Sequence, residues 1–382
     1  MSTGLKNRGK TREDVDDRRK AVEAFTGARL DSIGSYGFDP LAAEKNVENM
    51  IGSVQVPVGF VGPLKVNGED AVGEFLVPLA TTEGALVASV NRGCSALTAA
   101  GGANVYVIKD EMTRAPVFRV RDLKHCLEVT RWVEEHLGDL RREAESTTRH
   151  GKLLKIDPFA VGRSLFLRMH FSTGDAMGMN MATIAAEAVS RLVEQETGAT
   201  LVSVSGNLCV DKKPAAMNYI LGRGKMVLAD ALVPRAVIEE RMRADPTLVV
   251  EACYRKNQIG SALAGTLGGN AHVANMLAAM YIATGQDPAQ VVEGSMGTTA
   301  CELVDGDLYI SLRLPALEVG TVGGGTRLPG QAEALSMIGC TGAGKARKLA
   351  EIMTAVALAG ELSTLCAQAT GTLGSAHKAL GR

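Results

Sequence analysis

Residues 115–204 alternate between strand-like and helix-like patterns, and this alternation constrains the fold more than any other feature of the chain. Runs of β-branched and apolar residues favour strands, whereas an apolar stripe at helical spacing, from Leu123 to Leu140, favours a helix. The patterns predict a strand at 116–120, a helix within 121–147, one or two strands within 153–172 with a break near Asp157-Pro158, a helix at 175–197 and a strand at 199–204. This β-α-β-β-α-β order is typical of a small ferredoxin-like α/β domain inserted into a larger one, which makes the predicted fold class α+β.

The segments on either side of this unit have weaker patterns. The first 51 residues are polar and helical around residues 11–25, which predicts an N-terminal arm or oligomerisation element. Short strand-like runs occupy 52–63 and 74–78, and Thr82 is placed to cap a helix that follows. Residues 214–382 have a mostly helical pattern, with helices predicted at 271–284 and 361–378. We therefore predict an arm at 1–51, a large, mostly helical domain from 52–114 and 206–382, and the small domain at 115–205.

Composition excludes several classes of protein. Of the 382 residues, 46% are hydrophobic and 22% are charged, as in soluble globular proteins. The net charge of -1 argues against a nucleic-acid partner and leaves small anionic ligands as the favoured ones. The polar N-terminus is not a signal peptide, and the low-charge stretches are interrupted by Gly, Asn, Ser and His, so no membrane anchor is predicted. Seven cysteines without a C-x-x-C pair favour reduced thiols in a cytoplasm over a disulfide framework or a cysteine-based zinc site.

One short segment, residues 205–218, combines charges in a way that suggests a binding site. Asp211, Lys212 and Lys213 stand between an apolar run and Pro214. Adjacent ammonium groups repel each other and are costly to bury, so a pair held beside a carboxylate indicates an anionic ligand or a developing oxyanion. A solvated turn is the alternative interpretation of the same residues.

Two glycine-rich segments are candidates for contact with a cofactor. The chain has 43 glycines, and they cluster at 174–178 and 320–325 among other places. Small residues before a helix leave backbone N–H groups free to meet a phosphate, although residues 172–180 do not form the Rossmann fingerprint. An ordinary capped helix and an ordinary tight turn are the alternatives for these two segments. His272 is interpreted as a core histidine, because no second His or Cys lies at metal-ligand spacing.

Four ionisable residues in apolar or glycine-rich settings are candidates for chemistry, because desolvation shifts pKa values there: Glu83, Lys212, Asp287 and His377. Each of them, taken alone, is equally compatible with a surface or helix-cap position.

A set of ordered motifs over residues 39–382 resembles the 3-hydroxy-3-methylglutaryl-CoA (HMG-CoA) reductase family, in its class I form without a membrane anchor. The motifs are 48–52 (ENMIG), 57–64 (PVGFVGPL), 80–84 (ATTEG), 91–94 (NRGC), 174–180 (GDAMGMN), 211–216 (DKKPAA), 285–287 (GQD) and 320–326 (GTVGGGT). The resemblance implies that the large domain binds HMG-CoA and that the small, non-Rossmann domain binds NADP. It also implies a cytoplasmic homodimer or dimer of dimers with active sites at the subunit interfaces.

The resemblance implies a reduction of (S)-HMG-CoA to (R)-mevalonate and CoA that consumes two NADPH, in the mevalonate pathway of isoprenoid biosynthesis. Such a reaction needs an oxyanion stabiliser, a proton source for the thiolate and an acid for the alkoxide. Lys212 would stabilise the oxyanion and His377 would protonate the CoA thiolate. Glu83 would act as the acid of the second reduction, with Asp287 hydrogen-bonded beside it.

The same resemblance assigns binding roles and no metal. The residues for the HMG portion would be Arg114, Ser205, Asp211, Lys213, Lys256 and Asn275, and those near CoA would be Ser89, Asn91 and Arg92. The dinucleotide would be lined by Asp175, Met177, Gly178, Met179, Asn180, Val322, Gly323 and Gly324. Thr148 and Arg149 fall where the family reads the ribose 2′-phosphate, so a guanidinium there favours NADPH.

The chain departs from the family pattern at two places, and two other functions stay open. Residues 268–270 form a loop one residue shorter than in animal enzymes, and Ala376 replaces the serine that usually precedes the catalytic histidine. The alternatives are the same fold working with NADH in the oxidative direction, from mevalonate to HMG-CoA, and a non-catalytic protein that binds CoA esters.

Overall fold

The structure, a computed structural model, describes residues 9–371. Its strands are β1 Val58–Gly68, β2 Val72–Ala80, β3 Ala103–Arg114, β4 Val117–Arg119, β5 Lys152–Val161, β6 Ser164–Ser172, β7 Thr200–Ser203, β8 Gly224–Val233, β9 Thr298–Val304 and β10 Asp307–Leu317. Its α-helices are α1 Arg12–Thr26, α2 Asp31–Gly34, α3 Leu86–Ala99, α4 Leu123–Glu135, α5 Leu137–Ser146, α6 Met179–Thr197, α7 Ala216–Leu221, α8 Arg235–Val237, α9 Pro246–Ala252, α10 Ser261–Ala264, α11 Val273–Thr284, α12 Val291–Gly294, α13 Pro329–Met337 and α14 Ala346–Ala369. The predicted α+β class is confirmed.

The strands between residues 117 and 203 form an antiparallel sheet in the order β7-β4-β6-β5. Helices α4, α5 and α6 supply the rest of a separate apolar core with this sheet. The single helix predicted within 121–147 is wrong, because the chain leaves the helical conformation at His136 (φ -105°) and forms two helices. The break predicted at Pro158 is also wrong, because β5 pairs only with β6 and an edge strand tolerates a missing N–H.

The remaining strands form the second part of the sheet, in the order β2-β1-β3-β8-β10-β9. One face of these strands packs on α3, α11 and α14 in the larger apolar core. The residues after Pro214 therefore contain three strands, β8, β9 and β10, that the sequence did not predict. Strand β8 reads as a nearly continuous apolar run because most of its residues are buried, so it lacks the alternation that identifies a strand.

Helix α14 is the central element of the larger core, and it begins at Ala346, fifteen residues before the predicted start at 361. Nearly all of its side chains are buried, so no polar stripe marks its length in the sequence. Among the described residues it is the helix long and apolar enough to cross a membrane, but that apolar segment lies wholly inside the protein. Its two glutamates are satisfied, since Glu351 accepts from the N–H groups of residues 69–71 and Glu361 from those of Ala271 and His272.

Two predicted helix starts lie elsewhere, and both shifts affect candidate site residues. Helix α3 begins at Leu86 rather than after Thr82, because Ala85 at its N-terminus adopts a left-handed φ of 69°. Glu83 therefore lies in the preceding loop. Helix α6 begins at Met179 after Gly178 (φ 89°), rather than at Asp175, so Asp175 lies in the connection between β6 and α6.

Candidate active site

Lys212 and Asp287 form the ion pair at the centre of the candidate site. The Nζ atom of Lys212 lies 2.8 Å from Oδ2 of Asp287, and both side chains are partly exposed. Asp287 is held in place as the N-cap of a short 3-10 turn, where its Oδ1 accepts the N–H of Ala289. The hydrogen bond to Asp287 raises the pKa of Lys212, so an ammonium group faces solvent at neutral pH.

The loop before Lys212 brings further predicted residues together. Arg114, at the end of β3, donates to Thr183 and to Sγ of Cys209, and the hydroxyl of Ser205 lies 3.6 Å from the same sulfur. Burial raises the pKa of Asp211, but the hydrogen bond from Gln290 and nearby Arg223 outweigh it and lower the pKa. Lys213 is exposed and donates to the carbonyl of Asp211. Arg114, Ser205, Asp211 and Lys213 thus lie around one loop, as predicted.

A cavity of about 700 Å³ adjoins Asp287, and its walls come from both glycine-rich segments. Its lining includes the predicted dinucleotide residues Met177, Gly178, Met179, Asn180, Val322, Gly323 and Gly324. The two segments touch, since the Thr321 N–H donates to the Asp175 carbonyl at 2.8 Å and a Cβ on Gly320 would collide with the backbone of Met177. Gly323 and Gly324 have left-handed φ angles with open space beside them, which leaves room for a ligand at the backbone. A nucleotide-sized group fits these residues.

Asp175 does not line this cavity, because its carboxylate is directed to the start of α14. It accepts from the backbone N–H groups of Gly344, Lys345 and Ala346. Burial raises the pKa of Asp175, but these three donors together outweigh burial and lower it. Its contact with the cofactor stays a prediction. Its observed hydrogen bonds join the connection between β6 and α6 to the start of α14.

Thr148 and Arg149 lie in the turn between α5 and β5. The hydroxyl of Thr148 accepts the N–H of Gly151 at 3.2 Å. A Cβ on Gly151 would collide with Met181, which itself lines the cavity. This turn therefore packs at the edge of the cavity.

Glu83 belongs to a second cluster of predicted residues. Its Oε1 accepts from Nδ2 of Asn275 at 3.2 Å. Glu83 and Asn275 line a cavity of about 270 Å³ together with Ser89, Arg92 and His272. Glu83 and Lys212 share no hydrogen bond or ion pair in the part of the chain that the structure describes. Asp287, predicted to be hydrogen-bonded beside Glu83, binds Lys212 instead, and the described residues show no hydrogen bond between Asp287 and Glu83.

The other predicted substrate-binding residues are hydrogen-bonded to neighbouring parts of the protein. Lys256 donates to Asn257 Oδ1 at 3.3 Å and lies 3.5 Å from the carbonyl of Asn270. Asn91 accepts the N–H of Gly62, and Arg92 and Ser89 both contact the hydroxyl of Ser363. His377 lies outside the described residues.

His272 is a satisfied histidine, as interpreted from the sequence. Its Nε2 lies 3.0 Å from the Gly360 carbonyl and 2.6 Å from the Thr364 hydroxyl. Within residues 9–371, no group of three or more His, Cys, Asp or Glu residues is arranged to hold a metal ion.

A buried charged cluster beneath Lys212 was not predicted from the sequence. Arg223, Glu293 and Glu318 are at most 1% exposed, and Arg223 pairs with both glutamates and with Asp211. Charged side chains are rarely buried, so each of these residues would be expected at the surface. A single sequence has no pattern that shows which residues 70 to 95 positions apart form pairs.

The fold and the site together combine an ammonium group, held by a carboxylate, with a glycine-lined cavity, an arrangement typical of enzymes. The sequence matches the family model of hydroxymethylglutaryl-coenzyme A reductase over residues 14–382. The chain belongs to this family, and the predicted oxidoreductase class is confirmed.

Two archaeal relatives and one solved structure illustrate the similarity. The 3-hydroxy-3-methylglutaryl-coenzyme A reductase of Pyrococcus horikoshii is 54% identical, covering 98% of this chain and 93% of its own. That of Haloferax volcanii is 55% identical, covering 96% and 93%. A class II enzyme of this name from Streptococcus pneumoniae, solved bound to NADPH in open conformations, has a TM-score of 0.72 at 19% identity and covers 96% of this chain and 100% of its own. At that identity the structural likeness shows the fold.

Proposed function

We propose that this protein reduces (S)-HMG-CoA to (R)-mevalonate and CoA with two NADPH, as a step of the mevalonate pathway. The observation that carries the proposal is the Lys212–Asp287 pair at the edge of the glycine-lined cavity. NADPH, when bound, supplies the hydrides. Two hydrides and two protons convert one thioester into one alcohol and one free thiol.

The residues of this chain supply charge stabilisation and protons. The ammonium of Lys212 stabilises the oxyanion that develops when the carbonyl carbon is reduced, because a fixed positive charge beside a low-dielectric cavity acts more strongly than water does. Asp287 holds that ammonium in place at 2.8 Å. Glu83 supplies the proton for the alkoxide of the second reduction. His377, by family resemblance, protonates the departing thiolate.

The cofactor assignment divides the chain into three parts. The smaller apolar core, formed mainly by residues of 115–205, supports a small, ferredoxin-like NADP-binding domain. The larger apolar core supports an HMG-CoA-binding domain from 52–114 and 206–382. Residues 1–51 form the N-terminal arm. Thr148 and Arg149, at the edge of the cavity, bind the 2′-phosphate that distinguishes NADPH from NADH. The cytoplasm is the compartment we assign, since all seven cysteines are free thiols.

The assay that tests this function follows absorbance of the reduced nucleotide with purified protein and HMG-CoA. We expect oxidation of two NADPH per HMG-CoA, with a higher kcat/KM for NADPH than for NADH. Folded protein that consumes neither nucleotide would disprove the activity. A preference for NADH would disprove the role of Arg149 alone.

We also propose that the active site is completed by a second copy of the chain. The support is the separation of Glu83 and Asn275 from Lys212 and Asp287 into two half-sites. The outer face of β3 and β8 also exposes apolar side chains that a second copy could cover: Tyr106, Ile108, Leu228 and Leu232.

Mixing two inactive variants tests the shared site. We expect Glu83→Ala and Lys212→Ala each to lose most of the activity alone and to regain part of it after mixed refolding, because hybrid dimers contain one intact site. Light scattering on the wild type gives the matched measurement of mass. A monomeric wild-type enzyme with full activity would contradict the proposal.

A further inference from the structure

The loop that carries Lys212 has an unusual backbone conformation. Three of its non-glycine residues have positive φ angles: Asn207 at 64°, Val210 at 54° and Lys212 at 59°. Residues with a Cβ avoid this region, and a β-branched valine does so most strongly. Such a conformation persists only where surrounding groups hold it.

Two fully buried side chains hold the backbone of this loop from below. Glu293, on α12, accepts the N–H of Lys212 through Oε1, and its Oε2 accepts from Asn218 Nδ2 at 2.8 Å. Asn218, on α7, also donates to the carbonyls of Cys209 and Val210 at 3.3 and 3.1 Å. Both side chains are 0% exposed, so water does not replace these bonds.

Arg223 in turn fixes the position of Glu293. Its guanidinium lies 2.9 Å from Oε1 of Glu293 and 3.1 Å from Oδ1 of Asp211, the residue that precedes Lys212. The N–H of Lys212 is therefore bound by Glu293, and the side chain of the preceding Asp211 is bound by Arg223. A rotation of the peptide between residues 211 and 212 would break both contacts.

We propose that Glu293 is a positioning residue for the reaction: its carboxylate holds the left-handed backbone of Lys212 so that the ammonium reaches Asp287 and the reacting carbonyl. Glu293 touches neither Asp287 nor the glycine-lined cavity by any contact among the described residues. It acts through the backbone of the loop that carries Lys212. This inference rests on the proposed function, in which Lys212 stabilises the oxyanion.

Glu318 provides a matched control. It is buried almost as completely as Glu293 and binds the same guanidinium at 2.7 Å. Glu318 also interacts with Glu293 itself, but within residues 9–371 it makes no hydrogen bond or ion pair with the loop of Lys212. Burial raises the pKa of Glu318 well above its usual range, which favours the protonated acid, and glutamine resembles that form in shape and charge. If pairing with Arg223 were the whole role, substitution of either glutamate would have a similar effect on kcat. If Glu293 positions Lys212, substitution of Glu293 lowers kcat and substitution of Glu318 does not.

Three variants separate positioning from simple pairing. We expect Glu293→Gln to lower kcat about 100-fold, because an amide N–H placed against Asn218 displaces the loop and small misplacements of a catalytic group have effects of this size. Glu293→Asp keeps a carboxylate opposite Arg223, and thus a folded protein, but is one methylene too short to reach the N–H of Lys212. We expect Glu293→Asp to lose kcat to a similar extent.

Glu318→Gln is the control and is expected to keep kcat within about threefold. All three variants are expected to keep KM for NADPH within about twofold.

The pH dependence of kcat gives a second readout that a purely structural role would not move. The hydrogen bond to Asp287 raises the pKa of Lys212, so the ammonium, the active form, persists to higher pH. If Glu293→Asp displaces Lys212 from Asp287, that pKa falls and the alkaline limb of the kcat profile moves to lower pH. The same limb is expected to be unchanged in Glu318→Gln.

The outcomes distinguish this proposal from the function on which it rests. An inactive wild-type enzyme would overturn the function, and a crystal structure of Glu293→Asp would still show whether Lys212 leaves its left-handed φ. With an active wild type, wild-type kcat in Glu293→Asp, or equal losses in Glu293→Asp and Glu318→Gln, would overturn the positioning role.

Discussion

Replacement of Lys212 by alanine is expected to lower kcat by about 10² to 10³-fold, equivalent to roughly 3 to 4 kcal/mol of transition-state stabilisation. The ammonium is the one cation in contact with Asp287 among the described residues, so its loss leaves the developing oxyanion without a fixed charge. Nucleotide binding should persist, because the cavity that we assign to NADPH is lined largely by glycines, methionines and other uncharged groups. Stopped-flow turnover and nucleotide titration measure the two effects separately.

Lys213→Ala is the control for this variant. Lys213 is adjacent in sequence but exposed, and its Nζ contacts the carbonyl of Asp211 rather than Asp287. We expect a raised KM for HMG-CoA with a much smaller change in kcat, since this lysine binds the distal carboxylate in our proposal. Loss of nucleotide binding in Lys212→Ala would instead show that Lys212 is structural.

Replacement of Arg223 by methionine is expected to lower the free energy of unfolding by about 3 to 5 kcal/mol, because it leaves the buried carboxylate of Glu293 without its partner. Arg223 is 1% exposed, and Glu293, with 0% exposure, loses a charge-assisted bond of 2.9 Å. Methionine has similar volume, so the change removes charge with little cavity formation. Urea unfolding followed by circular dichroism measures the difference.

Arg191→Met is the matched control, because Arg191 pairs with Glu187 on the exposed face of α6. Its urea midpoint should stay at the wild-type value. An equally small change in Arg223→Met would mean that the buried glutamates are both neutral and need no cation.

The regular part of the fold was predictable where one face of each element meets solvent. The order of elements between residues 117 and 203 followed from periodicity, because α4 and α6 each have a buried and an exposed side. The same reasoning failed for β8 and for the first half of α14, which are buried on most sides and so have no polar stripe. Where elements distant in sequence bury a helix or strand, its own residues lack the polar–apolar periodicity that identifies it.

The candidate site was predictable as a set of chemical groups but not as an arrangement. The charges of Asp211 and Lys212 indicated an anion site, the apolar or glycine-rich settings of Glu83 and Asp287 made them candidates, and the family motifs added their roles. No property of residues 290–294 or 318 indicated that Glu293 and Glu318 lie beneath the loop. Their contacts span 70 to 95 residues and arise only when α12 and β10 pack against Arg223.

The sequence alone determined the family, the chemical groups available for a reductive reaction and the order of most elements in the smaller half of the sheet. Only the tertiary structure decided that Lys212 meets Asp287 and that Glu83 meets Asn275. The physical reason is that periodicity and charge are local properties of a chain. Proximity between distant residues depends on how whole helices and strands bury their apolar faces together.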